Sequence, residues 1–426
     1  MKTTPTARQS ERAILVKLIR PSESPREVEE SLEELGRLVE SAGGVIAGQA
    51  LQTRKTPDPA YYIGKGKAEE IRLTAEERRC DLVIFDDDLS PAQVRNLERS
   101  VGKRVLDRSE LILDIFAQRA RTDQAKLQVE LAQLQYLLPR LTRMWEHLSR
   151  IRGGIGLRGP GETQLEVDRR VVRKRIGHLT QRLEQVRGRR ERQRDRRSSA
   201  FNIAIVGYTN AGKSTLFNLL TRSQVATGDR LFETLDARTR SFDIDSPRGA
   251  VITDTVGFIR KIPHHLIASF RATLEEVVEA DLLLLVVDVS LSGKFDHMIV
   301  VREVLSDLGI DDKPVIHVFN KIDLPGGVEG AREMRLHHPD GIFISAALPL
   351  GIEDLVKAIG REIRKDEVLM EYSFPATDTH TLSRLYEEGK ILQKSTVAGM
   401  LTVRVRMERE AGNRLLREGI SGIPLD

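Results

Sequence analysis

Residues Gly207-Tyr208-Thr209-Asn210-Ala211-Gly212-Lys213-Ser214 have the types and spacing to hold a polyphosphate. The glycines let backbone N–H groups curl around a β-phosphate, Lys213 reaches the β- and γ-phosphates, and the Ser214 hydroxyl is placed to hold Mg2+. Three further polar clusters each follow an apolar run. Asp254-Thr255-Val256-Gly257 comes after Gly249 to Thr253; its Asp can hold the shell of the Mg2+, and the Gly257 amide can meet the γ-phosphate. Asn320-Lys321-Ile322-Asp323 comes after Pro314 to Phe319. There the Asp323 carboxylate can accept from guanine N1–H and N2–H2. Adenine offers neither donor, so a buried Asp would be left unpaired with ATP and the choice falls on GTP. Ser345-Ala346, after Gly341 to Ile344, supplies a fourth loop beside the base.

These clusters need a scaffold that brings strand ends together. The run Phe201 to Val206 before the phosphate loop and Thr215 to Leu220 after it read as strand, loop, helix. A lone NKID is often only a polar strand end, and DTVG is more often a turn than a switch. Four such clusters in this order, each at a strand end, resemble a small GTPase domain spanning about residues 200 to 365. Its expected fold is a P-loop domain with a mixed, mostly parallel sheet, and its cofactors are GTP or GDP with Mg2+.

The chain of 426 residues with a 40% hydrophobic fraction is long enough for several domains with real cores. A single cysteine, Cys80, excludes a disulfide framework and a cysteine-rich zinc site, and points to a reduced setting. The first residues, Met1 to Thr6, hold no apolar signal core, and the longest apolar run, Leu282 to Val287, is far too short to cross a bilayer. A cytoplasmic protein without a membrane span is expected.

Charge is concentrated on one stretch. Arg150 to Ser199 holds 16 Lys/Arg against 6 Asp/Glu, a net +10 in a chain whose total is +4. Such density is the electrostatic footprint of a phosphate-rich partner, against the plainer reading of a solvated helix. Leu127, Leu131, Leu134, Leu138 and Leu141 form one seam at helical spacing, and Leu165, Val172, Ile176, Leu179, Leu183 and Val186 form another. The two describe a helical hairpin, with Pro139 interrupting its first helix. Between them Arg150 to Gly161 holds five glycines and three arginines in twelve residues. No core can be built from that, and it reads as a basic tip suited to close backbone approach to RNA.

Upstream, strands Arg12–Lys17, Gly44–Leu51, Asp81–Asp86 and Arg104–Asp107 alternate with helices Pro25–Ala42, Lys65–Arg78 and Ser90–Ser100. That alternation predicts an α/β domain with a largely parallel sheet. The turn Tyr62 to Lys67 could hold a phosphate but lacks the spacing of a phosphate loop. Asp86-Asp87-Asp88 suggests metal only weakly, with no His or Cys beside it, and a capped turn is the stronger reading. After residue 365, Val368–Phe374, Thr379–Gly389, Gly399–Met407 and Arg409–Glu418 suggest a small α/β domain with no catalytic constellation. The expected divisions are therefore 1–107, an N-terminal α/β domain; 108–199, the hairpin arm; 200–365, the GTP-binding domain; and 366–426, the C-terminal α/β domain.

Further motifs run through the N-terminal half: Pro57 to Lys67, Leu89 to Glu98, Asp107-Arg108, Leu113 to Ala120, and Gly153 to Arg170. With them the whole chain resembles the HflX-type ribosome-associated GTPases. The resemblance implies an N-terminal domain and arm that engage the large ribosomal subunit and its rRNA, with the glycine-rich tip near the peptidyl transferase centre. It also implies that stalled ribosomes are rescued by splitting, and the free protein is expected to be a monomer. Phe232-Glu233-Thr234-Leu235-Asp236 matches the family's first switch, with Thr234 as Mg2+ ligand and γ-phosphate sensor and Thr239 as its rival. Phe258 stands where many GTPases carry a glutamine that orients water, which predicts slow intrinsic hydrolysis raised by a partner. Asn210 resembles the asparagine by which some GTPases hold a catalytic K+. Lys213, Thr234, Gly257 and Asn210 are thus the candidate catalytic residues, and Ser214 and Thr234 the metal ligands. Two alternatives remain open: a ribosome-binding factor latched by GTP without turnover, and an ATP-dependent RNA remodeller with a second nucleotide site in the N-terminal domain.

Overall fold

Short apolar strands followed by amphipathic helices build the N-terminal domain. We describe it from a computed structural model of the chain, which covers residues 10–141, 164–195, 200–223, 231–233, 236–247, 249–261 and 274–425. Strands β1 (Arg12–Ile19), β2 (Val45–Thr53), β3 (Leu82–Phe85) and β4 (Arg104–Asp107) lie in the order β2-β1-β3-β4 with every neighbour parallel. Helices Pro25–Ser41, Lys65–Glu77 and Pro91–Val101 make the crossovers. Two start with a capping box, Ser24 with Glu27 and Ser90 with Gln93, each followed by proline. Gly102, at φ 69°, ends the third.

The hairpin differs from its expected seam in one respect. Thr122 caps helix Asp123–Leu137, which ends just before Pro139. Its most deeply buried positions are Ala125, Gln128, Val129, Leu131, Ala132 and Tyr136, whereas Leu127, Leu134 and Leu138 are half-buried. The helix therefore has a second covered stripe, which packs on helix Arg108–Arg119. On helix Gln164–Asp195 the shielded positions include Val172, Ile176, Leu179, Leu183 and Val186, as the spacing predicts, with Leu179 wholly buried. Arg175 joins the two helices through Nε and Nη2 to the Glu130 carboxylate at 2.7 and 3.0 Å. The glycine-rich tip Gly153 to Gly161 and the Leu165 side chain lie outside the described residues.

The central sheet has the order β10-β9-β8-β5-β7-β6, formed by β5 (Phe201–Gly207), β6 (Arg238–Phe242), β7 (Ala250–Asp254), β8 (Leu282–Asp288), β9 (Val315–Asn320) and β10 (Ile342–Phe343). Only the β6–β7 pair is antiparallel. Every residue of β8 is buried, as a central strand covered on both faces requires. The C-terminal sheet is antiparallel, with β11 (Glu367–Pro375), β12 (Gly389–Val397), β13 (Met400–Glu408) and β14 (Gly422–Pro424) in the order β12-β13-β11-β14. Helices Thr379–Glu388 and Arg409–Arg417 complete a βαββαβ unit of ferredoxin-like arrangement. Strands β12 and β14 were not foreseen: β12 is an exposed edge strand with little apolar alternation, and β14 is three residues long.

The described residues form two compact units. One contains those up to 191 together with 231–233, 236 and 259–261; the other contains the remainder from 192 onward. Two short stretches of the GTPase region thus belong with the N-terminal domain.

Candidate nucleotide site

Strand β5 delivers the phosphate loop and helix Lys213–Thr221 leaves it. Only glycine fits at two points. Gly207 has φ 153° and a Cβ there would meet the Val286 carbonyl at 2.3 Å; Gly212 has φ 93° and a Cβ would meet Asn320 Nδ2 at 2.2 Å. Asn210 is half-buried with a left-handed φ of 60°.

Lys213 is buried, and its Nζ donates to the carbonyls of Gly207 and Tyr208 at 3.1 and 2.7 Å. Burial lowers its pKa to about 8, against the pull of Asp254 and with a small further push from Lys321. Ser214 Oγ donates to Asp254 Oδ2 at 2.7 Å. A hydroxyl and a carboxylate side by side are the oxygen donors a hard cation such as Mg2+ takes, so these residues fit it.

The DTVG segment lies against the phosphate loop. Thr209 N donates to the Phe258 carbonyl at 2.7 Å, and Phe258 N donates to the Gly207 carbonyl at 3.1 Å. A Cβ on Gly257 would stand 2.8 Å from Thr209 Cα and 2.9 Å from Lys213 Nζ. Gly257 is therefore beside the Lys213 ammonium. Thr209 Oγ1 is buried there without a hydrogen-bond partner. Thr255 turns its hydroxyl to the Ile205 carbonyl at 2.7 Å, and Val256 is buried, so both serve the strand end. The Tyr208 ring stacks on His297 with centroids 3.8 Å apart.

At the other end Asn320 is the hub. It is 2% exposed; its Nδ2 donates to the Ala211 carbonyl at 2.9 Å and its Oδ1 accepts from Ala346 N at 3.0 Å. One amide thus ties NKID to the phosphate loop and to the Ser345-Ala346 loop. Ser345 is buried, and its Oγ accepts from Leu348 N at 3.1 Å. Ile322 N donates to the Ile344 carbonyl at 3.3 Å. Lys321 pairs with Asp288 at 2.8 Å, and Asp288 also accepts from Ser290 N and Oγ at 3.0 and 2.6 Å. Asp288 escaped sequence reasoning; its signal was a lone carboxylate closing the run Leu282 to Val287. Asp323 requires a correction. It is exposed, not buried, because it stands on the turn beyond the strand end. The fold itself does not desolvate it; a stacked base would have to.

The first-switch residues are found with the N-terminal unit. Phe232 is buried at φ 57° and meets Phe116 edge-on at 4.7 Å. Glu233 faces Arg119 at 3.8 Å. Asp236 accepts from Arg121 N at 3.2 Å, Thr122 N at 3.3 Å and the Thr122 hydroxyl. Leu231 N donates to Ser41 Oγ at 3.0 Å. Thr234 and Leu235 lie outside the described residues. Thr239 shares a 2.8 Å hydrogen bond with Thr253 across the β6–β7 pair.

The weaker candidates have internal partners. Gly64 N donates to Gln52 Oε1 at 2.7 Å and Lys67 pairs with Glu70 at 2.7 Å. Asp86 accepts from Lys17 at 3.1 Å and from Arg108 at 2.9 Å, buried partners rather than the backbone of a turn. Asp107 takes the local cap role, accepting from Leu89 N at 3.2 Å. Among the described residues no group of three or more His, Cys, Asp and Glu could hold a metal, and no helix is long and apolar enough to cross a membrane.

The chain is similar to known proteins. Residues 29–117 match a family described as GTP-binding GTPase N-terminal, 119–197 the GTP-binding GTPase middle region, and 202–321 the 50S ribosome-binding GTPase family. GTPase HflX of Caldanaerobacter subterraneus subsp. tengcongensis is 45% identical over 411 residues, covering 96% of this chain and 94% of its own. GTPase HflX of Escherichia coli K12 is 43% identical over 393 residues, covering 91% and 92%. A solved GTP-binding protein of Sulfolobus solfataricus in complex with GDP aligns with 83% of this chain and 99% of its own, at 27% identity and TM-score 0.43.

Proposed function

Since the chain belongs to the HflX family of ribosome-associated GTPases, we propose that it binds the large ribosomal subunit and its rRNA in the cytoplasm and hydrolyses GTP faster there. Splitting or rescue of stalled ribosomes is the work this serves. Lys213 and the amides of Gly207 to Ser214 bind the phosphates, Gly257 reads the γ-phosphate, and Asp323 reads guanine while Asn320 holds the three loops in register. Ser214 and Thr234 would hold Mg2+, with Asp254 at its shell; when bound, the ion would supply charge neutralisation at the phosphates.

Phe258 carries the proposal. It is 2% exposed and held by backbone hydrogen bonds on both sides, so its phenyl ring replaces the water-orienting side chain of faster GTPases with an inert wall. A complete binding frame beside an incomplete hydrolytic one calls for a partner. K+ at Asn210 is the supplement we expect within the protein itself.

The test is the GTPase rate with and without purified large subunits. A severalfold rise supports the proposal; equal rates at saturating subunit would sink it.

A further inference from the structure

Asp288 ends strand β8, and a carboxylate that is only 6% exposed is costly unless both of its oxygens are paired. They are. Oδ1 accepts from Ser290 N and Oγ, which leaves Oδ2 to the Lys321 ammonium at 2.8 Å. The backbone beside Asp288 is held on two sides. A Cβ on Gly330 would stand 2.0 Å from the Val289 carbonyl, so helix Gly327–His337 presses directly on that residue. Val289 N in turn donates to the Asn320 carbonyl at 3.1 Å, across the register pair Asp288 and Asn320. Asp288 is therefore a fixed point beside the NKID segment.

The residue that Asp288 holds sits in a conformation that needs holding. Lys321 has φ 68°, the left-handed region that is unfavourable for a side chain with a Cβ. Its carbonyl accepts from Leu324 N at 3.2 Å, and a Cβ on Gly327 would meet that carbonyl at 2.4 Å. Lys321 is thus the residue at which the chain turns off strand β9 towards the next helix. Asp323 lies inside this turn. It is exposed, and among the described residues none bonds to its carboxylate. The direction of Asp323 is therefore inherited from the backbone that carries it. Three ties define that backbone: the Asn320 amide at its entry, the 3.3 Å bond from Ile322 N to the Ile344 carbonyl, and the Lys321 ammonium on Asp288. The last is an ion pair, and charge-assisted bonds are the stronger kind.

We propose that Asp288 is a positioning residue for guanine recognition: through Lys321 it holds the strained turn that aims Asp323 at the base. The inference rests on reading Asp323 as the group that selects guanine. Without the tie the phosphates still bind, since the phosphate loop keeps its own bonds to Asn320 and Phe258. Discrimination is what falls, because a carboxylate on a loosened turn must be ordered anew each time a base meets it.

The experiment uses the full chain with Asp288→Asn, Lys321→Met and the double variant. Asparagine keeps the size of Asp288 and still accepts from Ser290, and the released Lys321 side chain, 21% exposed, turns its ammonium to water, so the fold is retained. GDP and ADP affinities are measured by displacement of a fluorescent GDP analogue. In Asp288→Asn the Kd for GDP should rise about tenfold, the scale of one charge-assisted hydrogen bond, while the Kd for ADP stays within about twofold. In the Lys321→Met background the same change should alter GDP affinity by less than about twofold, because the residue it acts through is gone. Equal weakening of GDP and ADP would show that Asp288 serves the fold alone and overturns the proposal. Unchanged GDP binding in Asp288→Asn overturns it too, as does an effect that survives in full beside Lys321→Met. ADP bound by the wild-type chain as tightly as GDP would instead overturn the reading of Asp323 on which the proposal rests.

Discussion

Nucleotide binding should take up a proton at mildly alkaline pH, and Lys213 is the reason. In this structure burial holds its pKa down to about 8, with only Asp254 pulling the other way. A β-phosphate placed at its Nζ restores the ammonium, so the bound pKa returns at least to the ordinary lysine value. The sign follows. Between the two pKa values the complex holds more protons than the free protein, so affinity is lost as pH rises through 8. At pH 8.5 a group of pKa near 8 is roughly three-quarters neutral, and at pH 7 only about a tenth. GDP binding should therefore take up about 0.7 proton at pH 8.5 and about 0.1 at pH 7, and the Kd should rise about fourfold between them, on the order of 0.8 kcal/mol. Titration calorimetry in two buffers of different ionisation enthalpy measures the uptake directly. GDP avoids turnover, and Lys213→Arg, whose guanidinium stays charged throughout, should abolish the pH 8.5 uptake. No uptake at pH 8.5 in the wild-type chain, or a release of protons, would refute the claim that Lys213 waits in a desolvated state.

Asn320→Ala should raise the GDP Kd by about 30-fold or more, because it leaves the Ala211 carbonyl and the Ala346 amide unpaired at a combined cost of about 2 kcal/mol at the least. Fluorescent-nucleotide titration reads this, and a change below about threefold would show that the three loops hold their register without it. Hydrolysis by the wild-type chain should be faster in KCl than in NaCl at equal ionic strength, and Asn210→Ala should remove the difference; equal rates in the two salts would remove K+ from the site.

Much of the scaffold was legible because its signals are local. The capping boxes at Ser24 and Ser90, the αL glycine at Gly102 and the apolar runs at β1, β3 and β8 each state an element's boundary within a few residues. The phosphate loop, DTVG, NKID and Ser345-Ala346 were legible for a related reason: chemistry at strand ends needs particular residues at particular steps, and parallel strands bring those ends to one edge. What stayed hidden was set by non-local neighbours. Strand β12 has little apolar alternation because an edge strand needs little, and its pairing with β13 is read from backbone hydrogen bonds. The second buried stripe of helix Asp123–Leu137 is visible only once helix Arg108–Arg119 packs against it, since Gln124 and Gln128 disguise it as polar.

The placement of the switch segments is the case where local reading runs out for a physical reason. Residues 231–233, 236 and 259–261 stand within the GTPase stretch in sequence but cluster with the N-terminal unit. Their partners, Thr122 for Asp236 and Asp87 for Lys261, are 114 and 174 residues away. No periodicity or spacing rule spans that distance. One trace was nevertheless present. Lys17 interrupts Ile14-Leu15-Val16 and Leu18-Ile19 in a strand that is otherwise apolar, and an ammonium there must be buried and therefore paired. The carboxylate able to answer it from the neighbouring strand end is Asp86, the first of a triplet with more negative charge than one lysine needs. The surplus is met by Arg108 from the helix that follows β4 and by Lys261 from the segment past Gly257. A buried charge out of place in a strand thus points through its partner to the part of the chain that closes the network, and here that part is the segment that follows Gly257 in sequence.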